Sequence, residues 1–115
     1  MPSPIVFLDV AGPDAERLRA FYAAVFDWQL DAEHRAQLPA APLLDAAIRE
    51  DPPEVRIYFG VEDVSAALVR VVAHGGHVDA ERFEVPGVVV LGLFRDPAGN
   101  PLGLVELDGS VPRVP

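Results

Sequence analysis

The sequence predicts an α+β domain built from two repeated modules, each a strand, a helix and then several strands. Three observations carry that expectation. Strand, Asp-capped helix and helix terminator recur at a constant offset of 49 residues, so that Asp14 answers Asp63, Phe26 answers Gly75 and Phe7 answers Arg56. Apolar residues recur at spacings of three and four in both helical segments, whereas the segments around them alternate with a period of two. At 115 residues, half of them hydrophobic, the chain has apolar material for one compact domain with a real core.

Taken in order, Ile5 to Val10 is an apolar, β-branched strand closed by Gly12-Pro13. Asp14, a good N-cap, opens a helix to about Phe26, in which Leu18, Phe21, Tyr22, Val25 and Phe26 form one apolar stripe facing a core. Asp27-Trp28 ends it, and Trp28 to Leu30 follows as a strand. Residues 34–53 contain Pro39, Pro42, Pro52 and Pro53 and one apolar stretch, Leu43 to Ile48, so strands there are short or lie at sheet edges. Val55 to Val61 alternates Ile57, Phe59 and Val61 against Arg56, Tyr58 and Gly60. Asp63 caps a second helix, Val64 to Ala73, with Leu68, Val71 and Val72 on its inner face and Gly75-Gly76 as a left-handed terminator. His77 to Val85, Val88 to Phe94 and Leu102 to Leu107 are strands separated by turns at Pro86-Gly87 and Asp96 to Asn100. Module one then covers about 5–54 and module two about 55–108, with 109–115 a loose C-terminal tail.

Composition removes several chemistries. There is no Cys, Lys or Thr, so thiolate nucleophiles, disulfides, Cys-bound zinc and Schiff bases are excluded. The three serines, Ser3, Ser65 and Ser110, lie in no nucleophile-elbow setting. Nine scattered Arg against 18 acidic residues, a net charge of −9, argue against nucleic acid and suit a cationic small ligand better. No run approaches the roughly 20 apolar residues of a membrane span, and the first residues lack a charged leader, so a cytoplasmic location is expected.

Three segments in this order carry a family resemblance. They are Asp14 with Phe21-Tyr22 and Phe26-Asp27-Trp28; Val61-Glu62-Asp63-Val64 with Ala66-Ala67 and Gly75-Gly76; and Asp96-Pro97-Ala98-Gly99-Asn100-Pro101-Leu102-Gly103-Leu104. Together they resemble the vicinal oxygen chelate superfamily, which includes glyoxalase I, bleomycin-resistance proteins and extradiol dioxygenases. The resemblance spans nearly the whole chain. It implies two βαβββ modules that combine into a glyoxalase/bleomycin-resistance-type partly closed barrel around one groove, usually within a homodimer. The chain departs from the pattern at Asp27, where a Gly is expected, and in the short β region of module one.

The resemblance also implies where a divalent ion would sit, held by His or carboxylate side chains from four strands. The first-strand positions fall on Phe7 and Arg56, and the final-strand position on Gly103; none can ligate a cation. The fourth lies among Asp45, Arg49 and Glu50, whose register the sequence does not fix. Glu106 alternates onto the face opposite 103 and 105. One carboxylate is too few, because stable divalent sites use three or more protein ligands, so no metal and no cofactor are expected. His74 and His77 flank a helix C-terminus, where imidazolium favours the dipole, and His34 lies in a polar loop; none is assigned a chemical role.

If the helices cover one face of the sheets, Val6, Leu8, Val10, Ile57, Phe59 and Val61 pack beneath them, and the groove is lined by Phe7, Asp9, Arg56, Tyr58, Gly103 and Val105. Ring area for affinity with a few charges for orientation is the usual make-up of a small-molecule site. A direct Asp9–Arg56 pair filling the barrel is the competing structural reading. Trp28 is read as a packing residue and Asn100 as bonding its own turn. The expected function is a metal-free small-molecule-binding protein of the glyoxalase and bleomycin-resistance type, for an aromatic or cationic ligand. Two others stay open: a lyase, isomerase or dioxygenase with an atypical metal set or with Tyr58, Asp9 and Arg56 as acid, base and anion clamp, and a module serving only as a partner in a larger assembly.

Overall fold

The computed structural model describes residues 2–39 and 44–115. The elements run β1 (Ile5–Gly12), α1 (Ala15–Phe26), β2 (Arg35–Leu38), β3 (Leu44–Glu50), β4 (Glu54–Val61), α2 (Val64–Ala73), β5 (His77–Val85), β6 (Val89–Arg95), β7 (Pro101–Asp108) and β8 (Val111–Pro112). The chain divides into two compact units, Val6–Ile57 and Met1–Ile5 with Tyr58–Pro115, so β4 changes unit between Ile57 and Tyr58.

In the first unit the strands neighbour in the order β2-β3-β1-β4. β3 runs parallel to β1, with Phe7 opposite Asp45, Asp9 opposite Ala47 and Ala11 opposite Arg49. β2 is antiparallel to β3, with Arg35 opposite Ala47. The four-residue β2 lies at the edge, as the proline density of this region requires. Leu43, expected at the start of the apolar stretch, lies outside the described residues.

Among the described residues module one nevertheless shows only β1, α1, β2 and β3, one strand fewer than expected. Trp28 to Leu30 does not extend, because Asp27 takes a left-handed conformation (φ 58°, ψ 34°) and the Trp28 ring folds back onto Tyr22 at 4.7 Å. That conformation explains the Gly expected at this position: the left-handed region strains any residue with a Cβ.

The second unit has the order β4-β7-β6-β5, with β8 on β7. Here the full strand, helix, three-strand pattern is present. Val61, Val64, Ala67, Leu68, Phe94 and Leu104 form its core, with Phe59, Val71, Val78 and Leu102 packed against it. Gly92 is what lets α2 lie so close to β6, since a Cβ there would stand 2.6 Å from Val64 Cγ1. The expected tail is not loose. Val111–Pro112 pairs with β7, Arg113 N–H donates to the Glu106 carbonyl at 2.9 Å, and Gly87 N–H donates to the Pro115 carbonyl at 3.1 Å.

Both N-caps form as the repeat requires: Asp14 accepts from Arg17 N–H at 3.1 Å and Asp63 from Ala66 N–H at 2.9 Å. Gly75 (φ 93°) provides the left-handed terminator of α2. The inner-face expectations need correction. On α1 only Ala15 is buried, while Phe21, Val25 and Phe26 of the expected stripe are 52%, 56% and 60% exposed; on α2, Leu68 is buried but Val72 is exposed. Periodicity locates a helix and its apolar side, but how deep that side sinks depends on the sheet beneath, and module one offers a smaller sheet.

Candidate functional site

The register of β1, β2 and β3 puts alternate residues of three strands on one face of the first unit: Phe7 and Asp9, Arg35 and Gln37, Asp45 and Arg49. This settles the fourth strand position that the sequence left open, since Asp45 and Arg49 share the face with Phe7 and Glu50 takes the other. The Arg35 guanidinium carbon stands 5.4 Å from the centroid of the Phe7 ring, a cation–π contact. Asp9, only 5% exposed, accepts from Arg49 Nε at 2.7 Å. That bond, first among the contributions, holds the Arg49 guanidinium above its ordinary range.

Arg49 also reaches Asp51, and its Nη2 lies 3.6 Å from Glu54 Oε1, which in turn takes Arg56 Nε at 2.9 Å. Asp9 and Arg56 are therefore joined through Arg49 and Glu54. Arg49 remains 41% exposed along its side chain while Asp9 and Arg56 are buried, so it is the solvent-facing member of this chain of charges.

The remaining predicted residues, Tyr58, Gly103 and Val105, lie in the second unit and are all buried. The Tyr58 ring lies against Gly103 so closely that a Cβ there would meet Cε2 at 2.3 Å. Gly103 is thus a position kept bare by a neighbouring ring. The alternation expected for β7 holds: Leu104 enters the α2 core, and Glu106 is buried at the N-terminus of α2.

Glu106 is a focus that sequence reasoning passed over. Its carboxylate accepts Arg82 Nε and Nη2 at 2.9 Å each and Val64 N–H at 3.1 Å, with Arg113 Nε 3.2 Å away. The bonds to Arg82, opposed by burial, set its pKa down at about 2. Its chemistry is that of an anchor, an anion at a helix N-terminus tying together α2, β5 and the β8 segment. Two open clefts lie in this unit, one lined by Glu62, Asp63, Ser65, Arg82, Glu106 and Arg113, the other including Pro4, Gly60, Arg70 and Leu107; neither includes a residue predicted for the groove.

A divalent metal does not fit this donor set. A phenyl ring, a guanidinium and a bare Cα, at Phe7, Arg56 and Gly103, have no lone pair to give a cation. Among the described residues no group of three or more His, Cys, Asp or Glu is placed to hold one. Asn100 bonds within its own turn, donating from Nδ2 to Asp96 at 2.8 Å. Among the described residues no helix is long and apolar enough to cross a membrane.

The family model described as a glyoxalase-like domain matches residues 5–105. The chain belongs to the glyoxalase-like domain family. Among relatives of this glyoxalase-like domain are the Mycobacterium tuberculosis and Mycobacterium bovis proteins called CFP32, whose name assigns them provisionally to the glyoxylases. Each is 26% identical over 120 aligned positions, covering 91% of this chain and 46% of the relative. The chain therefore spans about half the length of these curated relatives. Among solved structures, a methylmalonyl-CoA epimerase in complex with methylmalonyl-CoA aligns with a TM-score of 0.73 at 17% identity, covering all of both chains. A variant of the Streptomyces coelicolor methylmalonyl-CoA epimerase aligns at 0.71 and 17%, over 98% of this chain and 99% of that one. At such identity these neighbours share the fold, the α+β arrangement with a mixed sheet of the βαβββ type.

Proposed function

We propose that this glyoxalase-like domain binds a small cationic molecule with an aromatic body, without a resident divalent metal, and that Phe7 and Asp9 form the recognising face. The groove expected from the sequence, with Arg56, Tyr58, Gly103 and Val105, belongs to the same reading. The observation that carries it is that this face already holds two cations of the chain itself, Arg35 on the Phe7 ring and Arg49 on the Asp9 carboxylate. A ring face attracts cations through its quadrupole, and a buried carboxylate needs a positive partner, so a cationic ligand satisfies both in place of Arg35 or Arg49. The donor set at Phe7, Arg56 and Gly103 supports the metal-free part.

The test is a thermal melt with benzamidinium, phenethylammonium and benzoate, alongside nickel, zinc, iron(II) and manganese, on protein whose metal content has been measured. A ligand of the native state raises the melting temperature. The aromatic cations are expected to raise it, benzoate and the metals are not, and Phe7→Ala abolishes the rise. Stoichiometric metal, or a rise at micromolar metal, overturns the reading in favour of a lyase, isomerase or dioxygenase. A rise with benzoate alone overturns the cationic ligand.

A further inference from the structure

We propose that a cleft of the second unit, between α2 and the ends of β4 and β7, binds a dipolar molecule of dipeptide size, with its ammonium at Glu62 and its carboxylate at Arg70. The proposal is independent of the ligand reading at Phe7 and Asp9. The cleft has a volume of about 490 Å³, within the roughly 300–1,000 Å³ of small-molecule sites. Its apolar lining comes from Pro2, Pro4, Val61 and Leu107, and Ser3 contributes a hydroxyl. The segment carrying both prolines is tied to β4, because Gly60 N–H donates to the Pro4 carbonyl at 2.8 Å.

Two exposed side chains of opposite sign, Glu62 and Arg70, complete the lining. Elsewhere in this unit Arg82, Arg95 and Arg113 each hold a carboxylate, at 2.9, 3.0 and 3.2 Å. Among the described residues neither the Arg70 nor the Glu62 side chain has a hydrogen bond or an ion pair, although both line one cleft. Their spacing explains this and sets the length of the ligand. Glu62 precedes the Asp63 cap and Arg70 stands two turns along α2, so at about 1.5 Å per residue their Cα atoms are on the order of 12 Å apart. Side chains reaching into the cleft from that distance leave room for a bridging molecule, and two extended residues span about 7 Å. A guanidinium takes a carboxylate bidentately and a carboxylate takes an ammonium, each through charge-assisted bonds. A dipeptide-sized molecule with both charges satisfies the two groups at once, and the prolines, Val61 and Leu107 suit an aliphatic side chain. A singly charged molecule leaves one group unanswered and meets a like charge there. An α-amino acid, with both charges on one carbon, is too short to reach both.

An amide-resolved NMR titration with glycylleucine tests this, with N-acetyl-glycylleucine, glycylleucine amide and leucine as comparisons. Saturable shifts are expected at the amides of Ser3, Gly60, Leu107 and Gly109, with a dissociation constant of about 1 mM. Leucine and each singly charged form are expected to bind about tenfold more weakly or worse. Arg70→Gln is expected to bind the dipeptide and its amide alike, and Glu62→Gln the dipeptide and its N-acetyl form alike, a loss of discrimination that a purely structural role would not produce. Ser3→Tyr, at an exposed position, is expected to obstruct the cleft and abolish the shifts. No saturation up to about 20 mM, shifts confined to other parts of the chain, or leucine or a blocked form binding the wild-type chain as tightly as glycylleucine overturns the proposal.

Discussion

Glu106 shows what one residue can hold. Its carboxylate joins α2, β5 and the β8 segment through Val64, Arg82 and Arg113. Glu106→Ala leaves Arg82 and the Val64 amide without their anion and is expected to cost roughly 3 kcal/mol in a denaturant titration. The same group makes stability depend on acid pH. Because its folded pKa of about 2 lies below the ordinary 4.5, its stabilisation is fully present above about pH 4.5 and is lost as pH falls towards 2. The acid limb of a melt-versus-pH curve should therefore flatten in Glu106→Gln. Gly103→Ala is expected to destabilise by about 2 kcal/mol, since its methyl meets the Tyr58 ring, and Tyr58→Leu should recover part of that loss in the double variant.

At the scale of the element, the two helices test the repeat against its environment. Asp14 and Asp63 cap in the same way, so Asp14→Ala and Asp63→Ala are each expected to cost about 1 kcal/mol. Amide exchange should separate what the caps do not: α2, seated on β5, β6 and β7 over Val64, Ala67 and Leu68, is expected to exchange more slowly than α1, which buries only Ala15. Asp27 ends α1 with a positive φ, and Asp27→Gly is expected to stabilise by about 0.5 kcal/mol, the relief of left-handed strain exceeding the loss of its bond to Gln29. Element types, caps and terminators were legible in the sequence because each is a local choice. Trp28 to Leu30 misled because strand propensity there loses to a left-handed turn and a Trp28–Tyr22 ring contact.

For the whole molecule, the C-terminal residues belong to the fold. Removing 109–115 deletes β8, the Arg113 bond to the Glu106 carbonyl and the Gly87–Pro115 bond, and it uncovers one side of the Glu106 carboxylate. A lower melting temperature for that truncation, of the order of 5 °C or more, is expected; an unchanged melt would show the segment to be dispensable.

By itself the sequence determined both helices with their Asp caps, the strands of the second unit from β4 to β7, the family and the poverty of metal donors, because caps, periodicity and side-chain chemistry are properties of neighbouring residues. Only the tertiary structure decided which residues meet. The register of β3 on β1 brought Arg49, a candidate the sequence could not place, to Asp9, and that of β2 on β3 brought Arg35, which the sequence did not foresee in the site, to Phe7. Strand register is a long-range choice in which a slip of one residue reverses every side chain, and a proline-rich stretch with little alternation carries almost no local record of it.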